Sequence, residues 1–298
     1  MRRASRAILL GLATAGVVAC TAIAGIDGYE IGDCKGGGDC DAGLTDAFEL
    51  DQGAIAVDDS GVPCQGNAFP PTVRIGTTGN TFCIDTTEVT VGDYAQFLAA
   101  KVAASTQPAS CVWNESFAPD PTDAGPELPV VGVDRCDALA YCTWAGKYLC
   151  GSVTNGKKTG PVTVASSSDF RSHQWLLACS AEARLRYPYG SILDRSACNL
   201  VDYDAGGLVP VGSAAGCVGG FAGIHDMIGN AWEWYDGPCI ADGSLEVDGG
   251  DAGPASDNCW FKGGSYADLA QSVDCRLDGA GIRRDHRGPN VGFRCCAD

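Results

Sequence analysis

The chain has 298 residues, among them 37 Asp or Glu against 20 Lys or Arg, for a formal net charge of −17. So acidic a surface excludes nucleic acid and anionic lipid headgroups as partners, because both are held through basic patches. Hydrophobic residues make up 45% of the chain, enough for a real core, and the roughly 235 residues beyond the leader and spacer described below amount to one domain.

The opening MRRASRAILLGLATAGVVAC sets Arg2, Arg3 and Arg6 ahead of a 13-residue uncharged run from Ala7 to Ala19. A charged start, a short apolar run and small residues before a cysteine read as a signal peptide over residues 1–19. The run is well short of the roughly 20 apolar residues that a spanning helix requires. Val17-Val18-Ala19-Cys20 resembles a lipobox, in which the cysteine is acylated and becomes the new N-terminus. Cysteine counting agrees: of 17 cysteines, setting Cys20 aside leaves 17 − 1 = 16, which can pair into eight disulfides in an oxidising compartment. Removing the three leader arginines takes the mature charge to −17 − 3 = −20.

Residues 20–62 run through GGGDCDAGLTDAFELDQGAIAVDDSG and read as an acidic Gly/Asp/Ala-rich spacer, with Cys34 and Cys40 pairing locally. Asp-Ala-Gly recurs at Asp41, Asp123, Asp204 and Asp251 at irregular intervals, as surface loops do. The folded domain is expected over residues 63–298. After the extended FCIDTTEVT, Thr90 is placed to cap a helix VGDYAQFLAAKV with Tyr94, Phe97, Leu98 and Lys101 at helical spacing. A second helix is expected after Asp134, carrying Leu139, Cys142 and Trp144. A third is expected from Ser172 through HQWLLACSAEA, with Trp175 and Cys179 four apart. Beyond Tyr187 short strands and Gly-rich turns dominate, so the class is α+β with few helices.

The blocks FCIDTTEVTVGDYAQFL, AYCTWAGKYL, RYPYG followed by CNL, GIHDMIGNAWEWYDG, KGGSY and NVGFRC occur in this order between Phe82 and Cys295. Together they resemble the formylglycine-generating enzyme (sulfatase-modifying factor) family. The resemblance implies a C-type-lectin-like variant fold, low in regular secondary structure and rich in disulfides. One departure is an insertion of 20 residues, GSVTNGKKTGPVTVASSSDF at 151–170, expected as a surface loop.

The family's structural calcium, matched residue by residue, implies a site of Asp226, the Gly229 and Ala231 carbonyls and Glu233. Calcium takes six to eight oxygens from such a mixture. A second position is implied at Asn199 and the Leu200 carbonyl, with Asp202 or Asp204 as the acidic partner. On spacing alone, the same acids read equally as solvated turn residues, and Trp232 with Trp234 as core. Two bridges are implied, Cys142 to Cys295 and Cys179 to Cys275, with the partner of Cys296 left open. His173, His225 and His286 are scattered and form no HxxxH or HxH pair, so no histidine metal site is expected. Nor is there a GxSxG or phosphate-binding loop.

The enzymes of the family hold copper on two reactive cysteines after GGSY. Here that interval reads KGGSYADLAQSVDCR: Asp268 takes the first cysteine's place, Val273 or Asp274 the second's. Carboxylate is a hard ligand and copper(I) a soft ion, so no copper is expected. Ser265 and Asn290, which line the family's groove, are present. The expected function is therefore a non-catalytic binding or scaffold module on a monomeric cell-envelope lipoprotein. Its attachment is to the outer membrane or cell surface, with the membrane reached only through the lipid, and its ligand is a peptide, glycan or envelope protein. The alternatives are an oxidase turning a protein cysteine into formylglycine, or another oxygen-dependent enzyme on the same fold. If Cys20 carries the anchor, Cys20→Ser releases the protein into the soluble fraction; unchanged sedimentation with membranes excludes it.

Overall fold

The structure is a computed structural model that describes residues 64, 66, 69–76, 79–120, 124–240, 247–248 and 257–298. The expected signal peptide, Cys20, the spacer and the Cys34–Cys40 pair lie outside these residues. So do Asp123 and Asp251.

Two antiparallel strands open the described chain, β1 (Thr72–Ile75) and β2 (Phe82–Asp85), followed by α1 (Val91–Ala99). Thr90 caps α1 reciprocally: its hydroxyl accepts from the Asp93 N–H at 3.0 Å, and its own N–H reaches the Asp93 carboxylate at 3.2 Å. The buried face is Tyr94 and Phe97. Leu98 is exposed and Lys101, at φ 52°, has already left the helix. The helix α2 (Arg135–Trp144) starts where Asp134 accepts from the N–H groups of Cys136 and Asp137, both at 2.9 Å.

The third helix, α3, differs from its expected extent. It runs only over Gln174–Ser180 and is capped by His173, whose Nδ1 accepts from the Leu176 N–H at 3.4 Å. It stops because Ala181, Glu182 and Ala183 all take left-handed backbone, at φ 48°, 60° and 72°.

The insertion also differs from a plain loop. β3 (Tyr148–Leu149) is followed by a hairpin of β4 (Ser152–Thr154) and β5 (Lys157–Gly160). Asn155 and Gly156 between them sit at φ 51° and 74°, the positive-φ pair that suits a two-residue hairpin turn. A Cβ on Gly156 would lie 2.5 Å from the Thr81 carbonyl, so only glycine allows this approach. Val153 and Val162 are buried, and Lys158 pairs with Asp236 at 2.6 Å, which docks the hairpin on the domain.

The remaining strands are β6 (Trp232–Ile240), β7 (Val247–Asp248), β8 (Asn258–Lys262), β9 (Asp278–Arg283), β10 (Val291–Phe293) and β11 (Cys295–Ala297). One sheet has the order β1-β2-β11-β3; the other is β10-β6-β8-β9 with β7 on β6, and β10 runs parallel to β6. The fold is α+β, rich in disulfides, with three short α-helices among the described residues.

Two buried clusters form the core. One gathers Phe82, Ile84, Trp175, Leu176, Phe221 and Met227; the other stacks Tyr94 on Tyr141 at 5.6 Å, with Phe97 and Phe293 edge-on. Seven disulfides cross the described residues. Cys142–Cys295 and Cys179–Cys275 are both bridged, closing separations of 153 and 96 residues. Cys296 pairs with Cys150, so the adjacent cysteines of β11 hold α2 and the chain after β3 at once.

Between the N-terminal strands and the end of α2 lies a fully buried ion pair, Lys147 Nζ to Asp85 Oδ1 at 2.6 Å. Lys147 also donates to the Pro70 carbonyl at 2.9 Å, and the Cys295 N–H donates to Asp85 Oδ2 at 2.8 Å. Burial outweighs the attraction of Lys147 and lifts Asp85 to about 6. A carboxyl raised in the folded state contributes stability that is present below its unfolded value and lost as pH rises through 6. Asp85→Asn leaves the lysine charge without its counter-ion and is expected to cost about 3–5 kcal/mol at neutral pH. Denaturant titrations at pH 5 and 7 check both points, since the variant also shows a smaller pH slope than wild type.

Candidate functional site

The KGGSY segment turns sharply after β8, with Gly263 at φ 97° and Gly264 at φ 73°. A Cβ on Gly264 would meet Val273 at 2.9 Å, so the turn presses against the chain that follows. This turn buries Ser265 completely. Its hydroxyl donates to Asp268 Oδ2 at 2.8 Å and accepts from Asn290 Nδ2 at 2.9 Å, while its N–H donates to the same Asp268 oxygen at 2.9 Å. Ser265, Asp268 and Asn290 are thus brought together as one hydrogen-bonded chain.

The Asn290 carbonyl in turn accepts from the Trp232 N–H at 2.9 Å. Trp232 is half-buried, edge-on to Phe261 at 4.7 Å. Its ring packs on the second core cluster, as the reading of Trp232 as a core residue has it, and only its backbone N–H reaches the Ser265–Asn290 chain. The Asp268 carbonyl also accepts from the Val201 N–H at 3.0 Å, tying in the turn Val201–Tyr203. A groove of about 490 Å³ runs elsewhere, along α2 between Val102, Pro108, Leu139 and Trp144, and is lined by none of these polar residues.

All fourteen described cysteines are disulfide-bonded. Cys275 is committed to Cys179, Val273 is buried, and Asp268 is held by Ser265. These donors do not fit a copper site, which requires a pair of thiolates.

The calcium residues fall into two groups. Glu233, at the start of β6, is fully committed: the Arg294 Nε lies 2.9 Å from both its oxygens, and Trp175 Nε1 donates to Oε2 at 2.7 Å. A cation on Glu233 would sit against that guanidinium, so Glu233 does not fit as a ligand here. Asp226 does fit. It stands at φ 55°, its Oδ2 accepts from the Gly212 N–H, and its Oδ1 is buried with no hydrogen-bond partner. Glu88 repeats the pattern nearby: Oε1 accepts from Asn230 Nδ2 at 3.0 Å, and Oε2 is a buried orphan. Burial, and then repulsion from Asp226, pushes Glu88 well above the usual carboxylate range. Burial likewise lifts Asp226 to about 6, against the Gly212 hydrogen bond and the attraction of Arg294.

Asn199 donates to the Gly207 carbonyl at 2.9 Å and to Asn230 Oδ1 at 3.0 Å, and its own Oδ1 is a third buried orphan. Leu200 is buried beside it, whereas Asp204 is exposed at φ 64° and Asp202 is engaged by Arg195 and the Ala270 N–H. Asp202 is thus committed to these partners, whereas the exposed Asp204 makes no side-chain bond among the described residues that turns it toward Asn199. Among the described residues no three His, Cys, Asp or Glu side chains converge on one point, so a cation here must draw on amides and carbonyls as well, which calcium accepts. Glu88 and Arg294 carry no signal of their own in the sequence, although both lie inside blocks that bear the family resemblance, FCIDTTEVTVGDYAQFL and NVGFRC. The histidines stay apart: His173 caps α3, His225 is half-buried and His286 is exposed.

The model of the sulfatase-modifying factor enzyme 1-like domain matches residues 45–298. The formylglycine-generating enzyme of Bos taurus is 28% identical over 203 residues, spanning 62% of this chain and 48% of that protein. A protein named serine/threonine-protein kinase Pkn1, from Chlamydia trachomatis serovar L2, is 28% identical over 178 residues, or 57% of this chain and 24% of its own length. The chain therefore spans about half or less of the length of these relatives. Among solved structures, PvdO from Pseudomonas aeruginosa aligns over 78% of this chain and 86% of its own at 21% identity, with a TM-score of 0.49. Matched over most of its length, the chain belongs to the sulfatase-modifying factor enzyme 1-like domain family.

Proposed function

We propose that this domain is a non-catalytic binding or scaffold module, displayed outside the cytoplasm on a lipid anchor at Cys20. The observation that carries this reading is the Ser265–Asp268 contact. The position where the resemblance calls for a reactive thiolate is held by a carboxylate locked to the backbone and hydroxyl of Ser265. A carboxylate has no accessible oxidation step and cannot bind copper(I) as a thiolate does. What persists is a polar surface of Asp268 and Asn290, suited to an extended peptide, a glycan or an envelope protein. The occurrence of similar sequence in a protein named as a kinase supports uses of this domain beyond cysteine oxidation.

Calcium is proposed as a structural ion held by Asp226 with Glu88 and the carbonyls of Gly229 and Ala231. It would neutralise the buried charge that Arg294 leaves uncompensated.

Two measurements test these readings. Copper-loaded protein incubated under oxygen with a cysteine-containing sulfatase-motif peptide is expected to give no aldehyde above a protein-free copper control. Aldehyde above that control overturns the non-catalytic reading. Chelation is expected to lower the melting temperature and added calcium to restore it, because an ion bound only by the folded state stabilises by mass action. Asp226→Asn should abolish that response; a wild-type melting temperature indifferent to both excludes the ion.

A further inference from the structure

Two lysine–aspartate pairs are buried in this domain, and their surroundings differ in a way that bears on their chemistry. Lys147 is saturated: besides Asp85 at 2.6 Å it reaches the carbonyls of Pro70 at 2.9 Å and Phe69 at 3.4 Å. An ammonium with three N–H groups and three acceptors is stable as an ion. Lys262 is not so provided for. It stands directly opposite Asp278 in the antiparallel register of β8 and β9, with Nζ 2.7 Å from Asp278 Oδ1 and its side chain fully buried. Its other hydrogen-bond acceptor is the Arg276 carbonyl, at 3.5 Å, with the Asp274 carboxylate and the His173 ring within electrostatic reach and the Trp175 ring at 5.9 Å.

Asp278 has a second partner. The buried Tyr235 hydroxyl donates to the same Oδ1 at 3.3 Å, and the Tyr235 ring stacks at 4.9 Å on His173, whose Nε2 is buried with no hydrogen-bond partner. Burial lowers Lys262 from its ordinary value and raises Asp278, so both groups are pushed toward their neutral forms. A neutral amine is the nucleophilic form of lysine, and a protonated carboxyl is the form that loses water.

We propose that Lys262 and Asp278 condense into an intramolecular isopeptide bond joining β8 to β9. The Lys262 ammonium passes one proton to the Asp278 carboxylate. The amine lone pair then attacks Asp278 Cγ, forming the N–C bond while the carbonyl electron pair moves onto Oδ2; the Tyr235 hydroxyl stays on Oδ1, the oxygen that has taken the proton and will leave. Collapse of this intermediate breaks the C–OH bond, and the hydroxyl leaves with a second nitrogen proton as water. The product is a secondary amide; one water is lost, and no oxidant or reductant takes part. Asp278 is 16% exposed, which gives that water a way out. The bond would fasten a strand pair that lacks a disulfide of its own among the described residues, and it is independent of whether the domain has a catalytic role.

Peptide mapping of the reduced, purified protein decides the matter. Trypsin cuts after Arg276 and Arg283, so an unmodified chain releases residues 277–283 as a free peptide. The expected result is that this peptide is missing and appears instead joined to the segment containing Lys262, at the summed mass less 18 Da for one water. Asp278→Ala and Lys262→Arg each remove the linked species. Tyr235→Phe, a change at a positioning residue, lowers the linked fraction at a given time after synthesis. Quantitative recovery of the free peptide from wild-type protein overturns the proposal, whatever the variants do.

Discussion

The interaction on which the rest of the domain depends is the fully buried pair of Arg294 and Glu233. Arg294 lies between β10, which pairs with β6 in one sheet, and β11, which pairs with β2 and β3 in the other. Its planar guanidinium meets both oxygens of Glu233 on β6 and donates to the backbone carbonyls of Asp85, His225 and Asp226. One side chain thus fixes both sheets and the loop that carries Asp226. Lysine could not replace it, since a single ammonium lacks the flat array of donors that these divergent acceptors require. The next two residues, Cys295 and Cys296, anchor the same segment covalently to α2 and to Cys150.

That arrangement has an electrostatic consequence. Glu88, Asp226 and Glu233 share one buried cation, and the two carboxylates that Arg294 does not grip each keep an oxygen without a donor. Buried charge of this kind is carried either as a proton or against a bound ion. The raised positions of Glu88 and Asp226 express the first alternative; the proposed calcium would be the second. The two are mutually exclusive at the same oxygens, which is why ion binding and the protonation of this cluster must be linked.

Local chemistry in this chain was legible and distant pairing was not. Thr90 and Asp134 mark helix starts because a cap acts within three residues of itself. His173 gave no such signal, because imidazole is an unusual cap, and no glycine announced the left-handed stop at Ala181. The TNGK turn was in plain view, yet its strands lack the apolar alternation that usually identifies a hairpin, so the insertion read as a loop. The resemblance implied Asp226 and Glu233 as calcium ligands, but a match along the chain says nothing of Arg294, 61 residues further on, which occupies Glu233. Counting cysteines suggested full pairing, whereas the partner of Cys296 required the geometry of β11.

The same distinction clarifies what a carboxylate at 268 does to the surface around it. Ser265 is buried, with its hydroxyl spent between Asp268 and Asn290, so it is no longer a group that a ligand can meet directly. One Asp268 oxygen is likewise turned inward, to the Ser265 N–H and hydroxyl. In the proposed binding role, recognition at this surface would then rest on the other carboxylate oxygen of Asp268, which is half-buried. A cationic group is the kind that such a carboxylate would favour, through ion pairing. On the proposed reading, a carboxylate where the resemblance implies a thiol is therefore more than a loss of chemistry, since it would favour ligands that present a positive charge.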